Sequence, residues 1–211
     1  MGYDLLVKNG TVIDGSGSPG YRADVGVVDG KIAAIGRINE SAKQTIDADG
    51  HIVSPGFVDG HTHMDAQIFW DPIGSCSCYH GVTSVVMGNC GFTLAPCKQE
   101  DADMVFRNLE RAEDLSRDAM LEGIDWRWET FPEFLDVIDE LPKGINYAGY
   151  IGHSALRTYV MGERAFSDAA SEDDVRNMQG LVKQAVQAGA IGISTSRTFN
   201  HLTADIGSAP V

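Results

Sequence analysis

Residues 54–65 read SPGFVDGHTHMD, in which His61 and His63 stand one residue apart after an apolar stretch. This pattern is typical of the end of a buried strand. Side chains at positions i and i+2 of a strand point to the same face, so both imidazoles are expected to reach one bound ion. Imidazole is a preferred ligand of zinc and similar divalent metals. The sequence therefore predicts a metal site at the carboxyl end of this strand.

The composition is that of a globular protein without a nucleic-acid or membrane partner. The 211 residues are 43% hydrophobic and 22% charged, and the formal net charge is −14. That charge, with no basic block, argues against binding to nucleic acid or an anionic membrane surface. No apolar run approaches the roughly 20 residues that span a bilayer, and the N-terminal MGYDLLVKNG lacks a secretory h-region. We expect a cytoplasmic protein.

The chain changes character near residue 54. Residues 1–54 hold short apolar strands separated by Asn-Gly and Asp-Gly pairs such as Asn9-Gly10 and Asp29-Gly30, and the second of these predicts a hairpin turn within residues 27–32. Together they predict a small antiparallel sheet that needs a further layer. From residue 55 to 211, apolar strands alternate with helical stripes, which predicts a parallel sheet covered on both faces. The expected strands of this part are 52–58, 82–88, about 145–151 and 190–195. Capping boxes at Thr130–Glu133 and Ser171–Asp174 predict the starts of two helices, whereas 98–126 is expected to form a polar helical excursion.

Counting the strands indicates an incomplete barrel. Four βα units follow residue 52, whereas a closed (β/α)8 barrel needs eight. A half barrel alone would leave two open parallel edges. We therefore expect an α/β fold in which residues 55–211 are the N-terminal half of a (β/α)8 TIM-like barrel, completed by a part of the protein beyond Val211.

Further candidate residues follow the later strands, on the catalytic face of such a barrel. Cys90, within GNCGFTLAP, is a third candidate ligand because a thiolate binds zinc well. The alternative is that Cys90 is a small buried hydrophobic residue that binds no metal. His153, within GHSALR, either contacts substrate or holds loops together. Arg197 either binds a substrate carboxylate bidentately or is an exposed loop arginine. His201, in a loop on the same face, is a candidate substrate contact.

Other conspicuous residues have structural interpretations. Cys76 and Cys78 are expected to be packing thiols, because CxC is too short for the usual CxxC zinc knuckle. Cys97 is expected to be structural. Trp126 and Trp128 either wall an acyl pocket or pack in the core.

The chain resembles the amidohydrolase superfamily over nearly its whole length. The opening YDLLVKNGTVIDG and the PGFVDGHTH run are shared by many amidohydrolases. The GNCG segment around Cys90, GHSALR and AGAIGIST are similar to the narrower D-aminoacylase family, the N-acyl-D-amino-acid deacylases. Hydantoinase-like relatives carry a lysine after strand four; here that strand ends in STSR, which favours the cysteine-type site.

The resemblance implies a zinc enzyme, with one or two ions held by His61, His63 and Cys90. Two histidines and an aspartate that complete the site are expected beyond Val211, and the catalytic acid is expected to be the aspartate of the last barrel strand. The remaining strands of a β-sandwich to which residues 1–54 belong are expected there too. Asp65 is expected to support the site or its loop. The implied reaction cleaves the amide of an N-acyl-D-amino acid to a D-amino acid and a carboxylate.

Two alternatives remain open at this point. The protein is either a different amide hydrolase of the superfamily, similar to hydantoinases or dihydroorotases, or an inactive fragment or assembly subunit. The isolated 211-residue chain is expected to be inactive without the C-terminal half. The side chain and acyl group of the substrate, and whether the protein forms a homo-oligomer, stay undetermined by the sequence.

Overall fold

The computed structural model describes residues 2–112 and 115–197 and the backbone of 202–203 and 207–208. His201 therefore lies outside the described residues. The chain divides into two compact units, Met1–Gly56 and Phe57–Val211. Within the described part of the chain, no helix combines the length and apolar character needed to cross a membrane.

The first unit is a five-stranded mixed sheet built around its first strand. Its strands are β1 (Tyr3–Val12), β2 (Tyr21–Val28), β3 (Lys31–Gly36), β4 (Ala42–Asp47) and β5 (Ile52–Val53). The order is β3-β2-β1-β4, and β5 also pairs with β1. The β2–β3 hairpin is confirmed: Asp29 and Gly30 have φ of 51° and 71°, as a tight hairpin turn requires. The expectation of a purely antiparallel sheet is wrong, because β4 and β5 run parallel to β1.

The Asn9-Gly10 pair forms a bulge instead of the expected turn. Strand β1 continues through it, and its register with β2 shifts between Val7 and Gly10. Asn9 is left-handed with φ of 62°, and its backbone N–H donates to Asp24 Oδ1 at 2.9 Å. A Cβ on Gly10 would lie 2.4 Å from Val53 Cγ2, so the glycine lets β5 approach.

The second unit contains parallel strands, but the single strand predicted over about 145–151 is divided into two that belong to different sheets. Strands β6 (Phe57–Asp59), β7 (Val82–Met87) and β8 (Asn146–Gly149) form one parallel sheet, and β9 (Ile151–Gly152) pairs in parallel with β10 (Ile193–Ser194). The prediction of one strand over 52–58 is wrong. Residues 52–53 belong to the first unit, and β6 begins only after Pro55-Gly56, where the proline offers no N–H to a ladder.

Six α-helices accompany these strands in the described residues: α1 (Ser75–Cys78), α2 (Ala102–Ala112), α3 (Arg117–Gly123), α4 (Phe131–Glu140), α5 (His153–Met161) and α6 (Glu172–Ala188). Both predicted capping boxes are confirmed, at Thr130 and at Ser171. The apolar stripe of α6 is only partly buried. Met178 and Ala185 lie in the core, but Val175 and Val186 are 41% and 48% exposed.

An aromatic cluster forms the centre of the second unit. Trp128 is 4% exposed and stacks on Trp126 and Phe69, with ring centroids 4.4 and 5.0 Å apart. Its ring centroid also lies 5.1 Å from that of Phe134, and its indole N–H donates to Leu94 O at 2.8 Å. Trp128 is thus a core residue.

Candidate metal centre

Three of the predicted site residues come together. The ligand atoms of His61, His63 and Cys90 all lie within 4.8 Å of one another. Cys90 Sγ is 3.4 Å from His61 Nε2, and the two imidazole centroids are 5.3 Å apart. His61 is exposed, while His63 and Cys90 are half-buried, so the group is open to a small molecule.

The two histidines are held by the segment that extends β6. Asp59 Oδ1 accepts the backbone N–H of His61 at 3.1 Å. Between the histidines, the buried Thr62 donates both its backbone N–H and its hydroxyl to Val86 O, at 2.9 and 2.8 Å. These bonds fasten the segment to β7. The two residues on either side of Thr62 are His61 and His63, so fixing Thr62 also fixes the backbone that carries both imidazoles.

Cys90 lies in a tight loop that follows β7. We call residues 88–91, GNCG, the cysteine loop. Cys90 itself is left-handed, with φ of 57°, a conformation that costs a non-glycine residue about 1–2 kcal/mol. A Cβ on Gly88 would lie 2.4 Å from Tyr150 O, so that position requires glycine. The glycine thus lets the backbone of the loop approach that of Tyr150 closely.

One side chain from outside the loop, Asp65, and one within it, Asn89, hold this loop in place. Asp65, 1% exposed, accepts the N–H of Gly88 through Oδ2 at 3.0 Å. The Asn89 amide donates to Thr62 O at 3.1 Å and to Val86 O at 2.9 Å. Asp65 therefore holds the cysteine loop, which is one of the two roles expected for it from the sequence.

The end of β10 supplies hydroxyl groups to the same loop. Ser194 Oγ accepts the N–H of Gly91 at 3.0 Å and donates to Gly88 O. Ser196 Oγ donates to Cys90 O at 2.8 Å. Sequence reasoning placed these serines at the strand end but gave them no role. Their i, i+2 spacing was the available indication, since it places two hydroxyls on one face.

The two described candidates for substrate binding, His153 and Arg197, are not members of the group of potential metal ligands. His153, at the start of α5, hydrogen-bonds through Nδ1 to Thr195 Oγ1 at 3.1 Å. Burial and, secondarily, the charge of Arg157 lower the pKa of His153, which favours a neutral imidazole. Arg197 is exposed. The hydrogen bond to Thr195 supports the interpretation that His153 holds loops together. A contact between His153 and substrate stays a prediction.

The remaining cysteines are separate from this group. Cys97 is 2% exposed, and burial raises the pKa of its thiol to about 12, which suits a structural role. Cys78 Sγ lies 3.9 Å from Ser75 O within the single turn of α1. Cys76 is exposed and lies 3.2 Å from Gln67 Nε2. Among the described residues, His61, His63 and Cys90 are the one group of three or more potential ligands.

The donor set fits a zinc-like divalent ion. Two imidazole nitrogens and a thiol sulfur are typical zinc ligands, and their mutual spacing within 4.8 Å lets one ion reach all three. Four-coordinate zinc takes one ligand more than these three side chains provide.

The fold and this group of residues define the class of protein. The chain belongs to the amidohydrolase family, whose sequence profile matches residues 44–210. It is 39% identical over 198 residues to the D-aminoacylase of Alcaligenes xylosoxydans xylosoxydans, covering 93% of this chain and 38% of that protein. It is 34% identical over 197 residues to the N-acyl-D-aspartate deacylase of the same organism, covering 93% and 37%.

A solved structure gives the same relationship. The chain superposes with a TM-score of 0.77 on the N-acyl-D-glutamate deacylase of Bordetella bronchiseptica, at 33% identity, covering 92% of this chain and 38% of that one. That enzyme was crystallised with zinc and a phosphonate inhibitor that mimics the tetrahedral intermediate of the reaction. The expected α/β fold and the resemblance to the D-aminoacylases are confirmed. The chain spans about 38% of the length of these relatives.

Proposed function

We propose that this chain forms the metal-binding part of an amidohydrolase that cleaves N-acyl-D-amino acids to a D-amino acid and a carboxylate. The observation that carries the proposal is the convergence of His61, His63 and Cys90, whose ligand atoms lie within 4.8 Å of one another. The similarity to D-aminoacylase and to the two deacylases supports the substrate class. We take zinc to be the ion, in one or two copies.

The architecture proposed for the protein is that expected from the sequence. Residues 55–211 would supply the first four βα units of a (β/α)8 barrel, and residues 1–54 part of a β-sandwich. The parallel order β6-β7-β8 and the parallel pair β9-β10 support the barrel. The candidate ligands follow β6 and β7 at their carboxyl ends, where barrel enzymes carry their active sites.

The chain's own residues have distinct parts in this proposal. A bound divalent metal lowers the pKa of coordinated water to about 7 and polarises a carbonyl. His61, His63 and Cys90 would hold it, and the half-burial of the latter two limits water around the donors. Arg197, exposed beside β10, would pair with the substrate carboxylate, because guanidinium binds carboxylates bidentately. His153 would border the substrate from α5, and His201 is proposed as a further substrate contact.

The catalytic proton transfer is assigned to a residue outside this chain. In the proposed reaction, a carboxylate delivers a proton to the leaving amine. By the family resemblance, that carboxylate is an aspartate of the last barrel strand. Because the chain spans about 38% of D-aminoacylase, we propose that hydrolysis requires the remaining strands and that the 211-residue chain alone is inactive.

Metal analysis of matched variants tests the site. The purified chain is expected to retain roughly one zinc ion, as a three-ligand site allows, and His63→Ala and Cys90→Ala are expected to lose it. Cys78→Ala is the matched control, because this thiol lies in α1 outside the ligand group and should retain zinc. Equal zinc loss in Cys78→Ala and Cys90→Ala would contradict the assignment, as would wild-type zinc content in His63→Ala.

Activity separates the proposed substrate from the alternatives. The protein at the full length of its relatives is expected to hydrolyse N-acetyl-D-amino acids and to lose that activity in His63→Ala. Hydrolysis of a hydantoin but not of N-acetyl-D-amino acids would support the cyclic-amide alternative. Absence of both activities in a zinc-loaded, folded protein would support an inactive subunit.

A further inference from the structure

The cysteine loop depends on contacts from a distant part of the chain. Three of its backbone polar groups bind hydroxyls at the end of β10. Ser194 Oγ accepts from Gly91 N at 3.0 Å and donates to Gly88 O. Ser196 Oγ donates to Cys90 O at 2.8 Å. We call Ser194 and Ser196 the serine pair.

Strand pairing places the serine pair against the loop. Ile193 and Ser194 pair in parallel with Ile151 and Gly152 of β9. A Cβ on Gly152 would lie 2.4 Å from Gly91 O, so the glycine allows the cysteine loop to lie directly on β9. From the neighbouring strand, serines two residues apart then face the loop together.

These contacts act on a backbone conformation that Cys90 would not keep by itself. A non-glycine residue with φ of 57° is held only where surrounding groups fix it. The bonds to Gly88, Cys90 and Gly91 span the whole loop and so restrain the direction of the Cys90 side chain. That direction brings Sγ to 3.4 Å from His61 Nε2.

We propose that Ser194 and Ser196 are positioning residues that orient the Cys90 thiolate toward the metal and thereby set the affinity and the sulfur ligation of the site. The inference rests on the proposed metal centre. The serines act through the backbone of the cysteine loop. Residues that orient metal ligands in this way commonly change metal affinity by about 10–100-fold when they are removed.

Cadmium binding by the intact chain provides the test, because a cadmium–thiolate bond has its own ultraviolet charge-transfer band. Ser194→Ala and Ser196→Ala are each expected to weaken cadmium affinity about tenfold or more and to reduce the band at saturation. Ser196→Thr retains a hydroxyl and should restore both. Ser167→Ala is the control: it removes an exposed hydroxyl bonded to Asp168 and should change neither.

The outcomes separate this inference from the proposed metal site. If Cys90→Ala keeps the wild-type affinity and band, the metal site itself is wrong. If Cys90→Ala loses the band but both folded serine-to-alanine variants retain wild-type affinity and band, the positioning role is refuted. Circular dichroism establishes folding. If Ser194→Ala does not fold, the cadmium affinity and band of Ser196→Ala test the proposal. Recovery of both in Ser196→Thr would then show that the lost hydroxyl, and not a change in packing, is the cause.

Discussion

Adding one methyl group at Gly152 should destabilise the second unit, whereas the same change at Gly180 should stabilise it. Gly152 has an ordinary φ of −87°, so an alanine there meets no backbone strain. Its Cβ would instead lie 2.4 Å from Gly91 O and 2.7 Å from Gly91 C. Ordinary contact begins at 3.4 Å, so the cysteine loop or β9 must move by about 1 Å. Overpacking of this kind costs about 1–3 kcal/mol.

Gly180 offers the matched control within the same unit. It lies inside α6 (Glu172–Ala188), and a Cβ there would have no neighbour within 4 Å. Alanine in a helix interior is more favourable than glycine by about 0.5–1 kcal/mol. For 150–250 residues, 1 kcal/mol shifts the melting temperature by about 2–4 °C. We therefore expect Gly180→Ala to raise the midpoint by about 1–4 °C, and Gly152→Ala to lower it by about 2–12 °C.

Tryptophan fluorescence during urea or thermal unfolding measures this difference. The three tryptophans, Trp70, Trp126 and Trp128, all lie in the second unit, so the fluorescence reports the unit that contains both substitutions. A midpoint for Gly152→Ala equal to or above that of the wild type would refute the close packing of the cysteine loop on β9. A fall for Gly180→Ala would refute the open position assigned to it.

Two further changes test other contacts in the second unit. The bond from Arg164, and then those from Ser171, lower the pKa of Asp174 from 3.8 to about 2. A carboxylate with a lowered pKa stabilises the fold above its ordinary pKa, and that contribution disappears as pH falls toward 2. Asp174→Asn should therefore melt below the wild type at pH 6 and approach it near pH 2; a gap independent of pH would contradict the charge contribution. Trp128→Ala should cost about 3–5 kcal/mol in chemical unfolding followed by circular dichroism, and Trp128→Phe less, although Leu94 O loses its donor. Equal losses would contradict the stacked packing.

The candidate ligands could be found from the sequence because their positions follow strand periodicity. His61 and His63 share a face by spacing alone, and Cys90 follows the next parallel strand, whose carboxyl end meets the same edge. Local chemistry also predicted both capping boxes and the Asp29-Gly30 turn. In the capping boxes and the turn, the deciding interactions lie within a few residues, where sequence patterns are informative.

Features set by distant partners were not predicted. Asn9-Gly10 has the composition of a turn, yet pairing with β2 and the approach of β5 keep β1 continuous through it. Similarly, the apolar run over 52–58 has no internal feature that assigns its first residues to one sheet and its last to another. The hydrogen bonds of Ser194 join residues 103 and 106 positions apart, which no local pattern indicates.

The conformation of Cys90 shows why the motif and the site are not equivalent. Local preference opposes a left-handed cysteine by about 1–2 kcal/mol, so the GNCG segment alone would favour other loop conformations. In the folded unit, bonds from Asp65, Ser194 and Ser196 all converge on residues 88–91. Each bond contributes about 1 kcal/mol, so two or more of them outweigh the backbone preference. The direction of the Cys90 thiol is therefore a property of three assembled strand ends, which makes the serines at the end of β10 part of the site although neither is a candidate ligand.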